Sequence, residues 1–274
     1  FLMRLASSST TSRNQMLAGS LLCSAGHWIA SVKAGSGRDF NASADAFPDR
    51  PANESEIWRM SLTLYFHPLS SFCQKALIAL YENDTPFSRH IVDLGNETAR
   101  AEFEKIWPVG RFPVLRDDAK DRTVPESSII IEYLAQHYPG KTQLVPADAE
   151  LARQTRMRDR FYDLYVNVPM QKIVTDRLRP AGQNDRYGVE QAKTLLQTAC
   201  GMIDQEMAAK TWAMGAAFSM ADCAAAPALF YADKVMPFGN TYKNAAGYLA
   251  RLMERPSYAR ALQEAQPYFA LFPK

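Results

Sequence analysis

The chain has 274 residues, of which 47% are hydrophobic and 22% charged, and its formal net charge is +2. This composition is typical of a globular protein, and the length allows one large domain or two smaller ones. The nearly balanced charge, without a long Lys/Arg run, argues against nucleic acid or an anionic membrane as the main partner. The four cysteines are Cys23, Cys73, Cys200 and Cys223. They are too scattered along the chain for a zinc site or a disulfide framework, so we predict no metal and a reducing, cytoplasmic location.

Residues 1–59 differ in composition from the rest of the chain. They are rich in Ser, Ala and Gly, contain no acidic residue before Asp39, and carry several basic residues. These features fit an organellar targeting segment, and the apolar stretch at 17–32 is too short and too interrupted to span a bilayer. The preferred alternative is an upstream sequence translated in error before Met60. With either origin, we expect an unstructured extension.

The hydrophobic periodicity from residue 60 onward predicts alternating strands and helices. The predicted order is βαβ-α-ββα. The strands are expected at 62–66, 90–94, 112–116 and 122–124, and the helices at 71–83, at 96–107 and from Ser127 to Pro139. This order indicates a thioredoxin-like α/β domain over residues 60–141, with a mixed sheet and helices on both sides.

After a connector at 143–148, every periodic signal is helical. The sequence therefore predicts an all-α C-terminal domain over residues 147–274. Its helices are expected in about five blocks, at 150–173, 188–210, 219–235, 241–253 and 257–265. Pro227 lies inside the third block, where we expect it to kink the helix or leave a carbonyl unpaired. Ser219 and Asp222 have the spacing of a capping box at the start of that block.

A Ser-x-x-Cys motif, Ser70 to Cys73, lies at the start of the first predicted helix. Redox proteins of the thioredoxin type place Cys-x-x-Cys at such a position, because unpaired N–H groups and the helix dipole stabilise a thiolate there. A serine in place of the attacking cysteine cannot form a disulfide, but it can donate a hydrogen bond to a thiolate supplied by another molecule. We expect Ser71 to cap the helix, Cys73 to belong to the core, and His67 to be a packed or solvated imidazole.

Four local motifs together resemble the cytosolic glutathione S-transferase superfamily over residues 60–274. Ser70 matches the catalytic serine of theta-, delta- and zeta-like bacterial-type members, and Phe112-Pro113 resembles the family's cis-proline dipeptide. Glu126-Ser127 resembles the pair that holds the γ-glutamyl end of glutathione, and the capping box resembles that of the C-terminal domain. Ser70-Ser71-Phe72 departs from the Ser-Ser-Cys of the zeta-class isomerases.

The resemblance implies a role for each matched residue, with glutathione as the co-substrate. It assigns Ser70 to thiol activation and the backbone of Phe112, before Pro113, to pairing with the tripeptide. Glu126 is then expected to bind the ammonium group, and Ser127 the γ-glutamyl carboxylate as well as capping the helix. Arg111 is either a ligand of the glycine carboxylate or a solvated charge.

The helix after the connector lines the electrophile pocket in this family. Tyr162, Tyr165 and Met170 belong to an aromatic stripe that we expect first of all in the core, and the resemblance implies that one or two of them contact the electrophile. We expect a homodimer that conjugates glutathione to small electrophiles. Two alternatives remain open, namely glutathione-dependent isomerisation or dehalogenation, and a non-catalytic binding protein with this fold.

Thiol activation by Ser70 is energetically sufficient without a general base. A free thiol has a pKa near 8.5, and lowering it by about two units requires roughly 2.7 kcal/mol. A hydrogen bond to a charged acceptor contributes roughly 1.5–3 kcal/mol, and a helix N-terminus roughly 0.3–1 kcal/mol. The serine hydroxyl and the helix together therefore supply the stabilisation that the thiolate needs.

Overall fold

The structure is a computed structural model that describes residues 61–273, so the prediction for residues 1–59 lies outside the described residues. The first part of the described chain has the predicted order βαβ-α-ββα. Its elements are β1 (Leu62–Phe66), α1 (Ser71–Glu82), β2 (Ser88–Ile91), α2 (Glu97–Ile106), β3 (Val114–Asp117), β4 (Arg122–Pro125) and α3 (Ser127–His137).

The four strands form one mixed sheet in the order β2-β1-β3-β4. β1 pairs in parallel with β2 and antiparallel with β3, and β3 pairs antiparallel with β4. β1 is central, and its alternate residues Leu62, Leu64 and Phe66 are buried. β2 ends at Ile91 rather than Leu94 because its partner β1 ends at Phe66, whose carbonyl accepts from the Val92 N–H at 2.9 Å. Val92 and Leu94 are nevertheless buried.

The second part of the described chain is helical, as predicted. It contains α4 (Ala149–Phe161), a π-helical turn (Tyr162–Asn167), α5 (Val168–Asp176), α6 (Arg186–Met207), α7 (Met220–Val235), α8 (Lys243–Glu254), α9 (Pro256–Ala265) and a 3₁₀ turn (Gln266–Leu271). The prediction of one helix over 150–173 is wrong, because the π-helical turn separates α4 from α5. Pro169 follows the turn and cannot pair with the carbonyl four residues earlier, and a π-helical turn accommodates that missing bond.

α7 is the central helix of the second part, and it is continuous through Pro227. Its buried face is rich in alanine, which allows α1, α4 and the π-helical turn to pack closely against it. The predicted capping box is confirmed at its start, where the Ser219 backbone N–H donates to Asp222 at 2.9 Å. Within residues 61–273, no helix is both long and apolar enough to cross a membrane.

The two parts of the chain share one hydrophobic core and are also joined by polar contacts. On the α1 side, Gln74 donates to the Tyr231 hydroxyl at 3.1 Å, and that hydroxyl donates to the Leu69 carbonyl at 2.7 Å. Arg255 donates to the Glu82 carboxylate, with Nε to Oε2 at 2.9 Å. These contacts hold the start and the end of α1 against the helical part, and so position the residues before and after it.

Candidate active site

Ser70 is the N-cap of α1. Its backbone is extended, with φ −76° and ψ 123°, and its Oγ accepts a hydrogen bond from the Cys73 N–H at 3.4 Å. The expectation that Ser71 caps the helix is therefore wrong, since Ser71 is the first helical residue and only the preceding residue has the extended backbone of a cap. The Ser70 oxygen acts as acceptor in this bond, so its O–H proton can be donated to a ligand.

Cys73 is a core residue, as predicted. Its side chain is fully buried, and its sulfur accepts a long hydrogen bond from the His67 N–H at 3.5 Å. Burial raises the pKa of the Cys73 thiol to about 12. The thiol is consequently protonated at neutral pH, which argues against a nucleophilic or redox role for this cysteine.

His67 is a packed imidazole in the turn before Ser70. Its Nδ1 accepts from the Leu69 N–H at 3.2 Å, and its ring lies against Phe112 and Tyr268, with centroids at 6.2 Å and 4.9 Å. Burial lowers the pKa of His67 to about 4, partly offset by the charge of Asp93. The ring is therefore neutral at physiological pH, and it shapes the turn that presents Ser70.

All five residues that the sequence assigns to glutathione line a single cleft, which we call the polar cleft. They come from the segment before β3 and from the β4–α3 junction, and residues of α1, α4, the π-helical turn and α5 complete the wall. The five are Arg111, Phe112, Pro113, Glu126 and Ser127. The Phe112–Pro113 peptide bond is cis, as predicted.

Glu126 has an unusual backbone conformation at the wall of the polar cleft. It is the N-cap of α3, so the expectation that Ser127 caps this helix is wrong, since Ser127 is the first helical residue. The φ of Glu126 is +71°, which is uncommon for a residue other than glycine. Such conformations persist where the surroundings require them, and they cluster at ligand sites. The Glu126 side chain makes no capping hydrogen bond, so its carboxylate and the first N–H groups of α3 beside Ser127 are available to a ligand.

The polar cleft presents charges of both signs. Arg111 and Arg160 supply positive charge, and Glu126 and Asp163 supply negative charge. An ammonium group can pair with Glu126, since Asp163 is already paired with Lys75 and Arg160. Ligand carboxylates can pair with Arg111 or with the N-terminus of α3. The arrangement suits a zwitterionic ligand with one ammonium group and more than one carboxylate, and glutathione has this chemistry.

A buried ion network lies directly behind the polar cleft, and sequence reasoning missed it. Lys75 of α1 is 1% exposed and lies 2.7 Å from Asp159, 2.8 Å from Asp163 and 2.8 Å from the Ser128 hydroxyl. Burial alone would lower the pKa of Lys75, but the two carboxylates outweigh it and raise that pKa. The Ser128 hydroxyl donates to Asp159 at 2.7 Å, so the network holds the first turn of α3 beside Ser127.

A second, mostly apolar cleft adjoins Ser70, and we call it the apolar cleft. It is lined by Leu69, Ser70, Ser71, Met170, Gln171, Val174, Thr175, Tyr231 and Phe272. The rings of Tyr231 and Phe272 stack, with an interplanar angle of 15° and centroids 5.5 Å apart. Neither aromatic residue was identified from the sequence, because their positions follow from how α7 and the C-terminal segment pack.

Of the three residues assigned to the electrophile, the structure brings Met170 to the apolar cleft and places the two tyrosines elsewhere. Tyr162 is 2% exposed and contacts Phe161 within the helical core. Tyr165 is 46% exposed, and its ring packs edge-on against Phe161, with centroids 5.3 Å apart. In residues 61–273, no group of three or more His, Cys, Asp or Glu side chains is placed to hold a metal ion.

Comparison with known protein families adds an independent line of evidence. The family described as "Glutathione S-transferase, N-terminal domain" matches residues 64–142, and "Glutathione S-transferase, C-terminal domain" matches residues 186–255. The glutathione S-transferase GstB of Escherichia coli K12 is 24% identical over 204 residues, which is 73% of this chain and 97% of GstB. The dichloromethane dehalogenase of Methylorubrum extorquens is 38% identical over 82 residues, or 29% of this chain and 28% of the dehalogenase.

Solved structures share the fold of the described chain. A glutathione S-transferase from Methylobacillus flagellatus with glutathione bound has a TM-score of 0.67 at 23% identity, covering 73% of this chain and 98% of its own. Poplar glutathione transferase F1 also has a TM-score of 0.67, at 24% identity, covering 76% of this chain and 99% of its own. The two-part architecture is therefore that of this structural group.

Proposed function

This chain belongs to the glutathione S-transferase superfamily, and we propose that Ser70 activates the thiol of glutathione for attack on small electrophiles. Five candidate glutathione residues line the polar cleft, and this cleft meets the apolar cleft of Ser70 at Gln171, which lines both. This junction of two clefts is the observation that best supports the proposal. A co-substrate in the polar cleft has its thiol near Ser70, and an apolar electrophile has a separate place beside it.

The polar cleft supports one orientation of glutathione. The γ-glutamyl ammonium group pairs with Glu126, and its carboxylate lies at Ser127 and the N-terminus of α3. Arg111 is placed for the glycine carboxylate, and the backbone of Phe112 is placed for the middle of the tripeptide. The cysteine sulfur then lies toward α1, where Ser70 caps the helix.

Ser70 and α1 act together on that sulfur. The Ser70 hydroxyl donates a hydrogen bond to the thiolate while its oxygen still accepts the hydrogen bond from the Cys73 N–H. The dipole of α1 favours negative charge at the same point. The two contributions, roughly 1.5–3 and 0.3–1 kcal/mol, lower the thiol pKa by about two units. The thiol proton leaves to solvent, and the reaction needs no general base. Neutral His67 and protonated Cys73 support this assignment.

The test is the pKa of bound glutathione, measured from the ultraviolet absorbance of the thiolate during a pH titration. We expect the wild type to bind glutathione as thiolate at neutral pH. Ser70→Ala should raise the thiol pKa by about 1–2 units and reduce conjugation at neutral pH at least tenfold, with a small change in glutathione affinity. Ser71→Ala is the matched control, because this neighbouring hydroxyl also lines the apolar cleft.

Three results would contradict the proposal. A bound thiol with an unshifted pKa would exclude activation by Ser70. Disulfide reductase activity that depends on Cys73 rather than Ser70 would indicate a thiol reductase. A wild-type protein that binds no glutathione, as measured by calorimetry, and conjugates no electrophile would favour a non-catalytic binding protein.

Glutathione-dependent dehalogenation is a second candidate. The match to the dichloromethane dehalogenase, 38% identical over 82 residues, favours it, although it covers 28% of that protein. The reaction needs the same thiolate, which displaces a halide from carbon. Halide release from dichloromethane, compared with conjugation of a larger chlorinated nitrobenzene, distinguishes the two activities.

We propose a homodimer as the working form. Ile129 of α3 and Met157 of α4 are 52% and 51% exposed, and the ion pair between Glu132 and Arg156 joins the same two helices. A partner subunit would bury this mixed surface. Sedimentation of the wild type as a dimer, and of Ile129→Glu as a monomer, tests the assignment.

We also propose a cytoplasmic location. The three cysteines among the described residues, Cys73, Cys200 and Cys223, are unpaired and buried, which suits a reducing compartment. Detection of the native protein in a cytoplasmic fraction, rather than in an organelle, tests this proposal together with the role of residues 1–59.

A further inference from the structure

Gln171 of α5 lies where the two clefts meet, because it is the residue that lines both of them. It is 9% exposed, and its neighbours on the apolar cleft include the side chains of Met170 and Val174. A largely buried amide at this position lies between the place of the sulfur and the place of the electrophile. Such a group needs hydrogen-bond partners, since burying an unsatisfied amide costs free energy.

The hydrogen bonds that the Gln171 amide makes leave it able to donate to a ligand. Its Nε2 donates to the Ser71 hydroxyl at 3.5 Å, which is longer than the usual range of about 2.7–3.2 Å and therefore a weak bond. A primary amide has a second N–H, and a long bond is readily exchanged for a shorter one. Thr175 differs, because its hydroxyl donates its proton to the backbone carbonyl of Gln171 at 2.8 Å and so does not have it for a ligand.

We propose that Gln171 is a catalytic residue that donates a hydrogen bond to the carbonyl oxygen of an α,β-unsaturated carbonyl electrophile. The inference rests on the proposed function, in which Ser70 stabilises the thiolate. It assigns a separate donor to each end of the reacting pair, with Ser70 at the sulfur and Gln171 at the oxygen of the electrophile.

The reaction moves negative charge from one donor to the other. A carbon–sulfur bond forms at the β-carbon, and the electron pair of the carbon–carbon double bond shifts to join the α-carbon to the carbonyl carbon. The carbonyl π electrons move onto oxygen, giving an enolate. A proton from water then returns to the α-carbon, which replaces the thiol proton lost to solvent on activation. A donor aimed at the developing oxyanion stabilises the transition state more than the ground state.

Gln171→Met tests the proposal, because methionine is of similar length and lacks the N–H donor. The probes are benzalacetone, an aryl enone, and cinnamyl chloride, which has the same phenylpropenyl skeleton without a carbonyl. We expect kcat with benzalacetone to fall about 10²-fold, the loss typical of one oxyanion donor, and kcat with cinnamyl chloride to change less than about threefold. Glutathione affinity by calorimetry and the pKa of the bound thiol should stay unchanged.

Thr175→Val is the matched control in the same cleft, and it should leave the ratio of the two rates unchanged. Equal losses with both electrophiles in Gln171→Met would overturn the proposal and indicate a purely structural role. Weakened glutathione binding or a shifted thiol pKa would also overturn it and place Gln171 at the co-substrate. Failure of the proposed function has a different signature, since the wild type would then conjugate neither probe.

Discussion

Lys75 of α1 and Asp159 of α4 form a buried ion pair across the two parts of the chain, with Nζ 2.7 Å from Oδ1 and both side chains 1% exposed. A lysine is rarely buried to this extent unless it is paired. Asp163 and the Ser128 hydroxyl complete the set of partners, at 2.8 Å each. Lys75 and its partners therefore link α1, which begins after Ser70, to α3, which begins at Ser127. The same buried ion network holds both parts of the proposed active site in place.

Removing the lysine should be strongly destabilising. Lys75→Met leaves buried Asp159 without its cation and leaves Asp163 with only Arg160 at 3.5 Å. We expect the free energy of unfolding to fall by about 3–5 kcal/mol. Denaturant titration measures the change.

Lys141→Met is the control, because its ion pair with Asp84 has a similar distance of 2.8 Å but exposed side chains. That variant should lose much less stability, because solvent screens an exposed ion pair. Equal effects of the two substitutions would mean that the Lys75 network contributes no more than a surface pair.

Stability should decrease in mildly acidic solution because of His67. Burial lowers its pKa in the folded state from 6.5 to about 4, so the unfolded chain binds the proton first as the pH falls. The stabilisation present above pH 6.5 is lost between about pH 6.5 and pH 4, and this one group accounts for about 2 kcal/mol between pH 7 and pH 5.

Denaturant titrations at several pH values test this dependence. His67→Gln should flatten the slope of stability against pH in that window. His90→Gln, at an exposed histidine of β2, is the control substitution. An unaltered slope in His67→Gln would assign the acid sensitivity to other groups.

Asp222 should contribute more to the free energy of unfolding than an ordinary helix N-cap does. It accepts the Ser219 N–H at 2.9 Å, the Ala213 N–H at 2.8 Å and the Tyr248 hydroxyl at 2.6 Å, all in the buried interior. Asp222→Ala leaves these donors unsatisfied, and we expect a loss of about 3 kcal/mol or more.

Asp148 provides the comparison, since it caps α4 through a single exposed bond to the Leu151 N–H at 2.7 Å. Asp148→Ala should cost about 1 kcal/mol. Thermal or denaturant unfolding of the two variants gives the difference, and similar values would show that the additional bonds of Asp222 contribute little.

Glu126 should recognise the ammonium group of glutathione and no other part of it. Glu126→Gln removes the charge and keeps the shape, so the Kd for glutathione should rise about 10- to 100-fold, as expected for a charged hydrogen bond. The Kd for a glutathione analogue without the amino group should be nearly the same in the variant and the wild type. Calorimetry measures all four values. Equal weakening for both ligands would assign Glu126 to the conformation of the β4–α3 junction instead.

Features that depend on a few neighbouring residues were predictable from the sequence. The βαβ-α-ββα order follows from hydrophobic periodicity and turn residues, and the capping box follows from the spacing of Ser219 and Asp222. The cis bond before Pro113 was expected through the family resemblance. The N-cap was misplaced by one residue, because Ser70 and Ser71 have equal capping propensity and only the backbone geometry distinguishes them.

The clefts and the buried ion network of the proposed site depend on the tertiary structure. Lys75 and Asp163 are 88 residues apart in the chain, and nothing local to either indicates the other. The stacking of Tyr231 on Phe272, the π-helical turn before Pro169 and the place of Gln171 between two clefts likewise depend on packing. Local sequence sets backbone preferences over a few residues, whereas clefts and buried charge pairs form only when distant segments exclude water from the space between them.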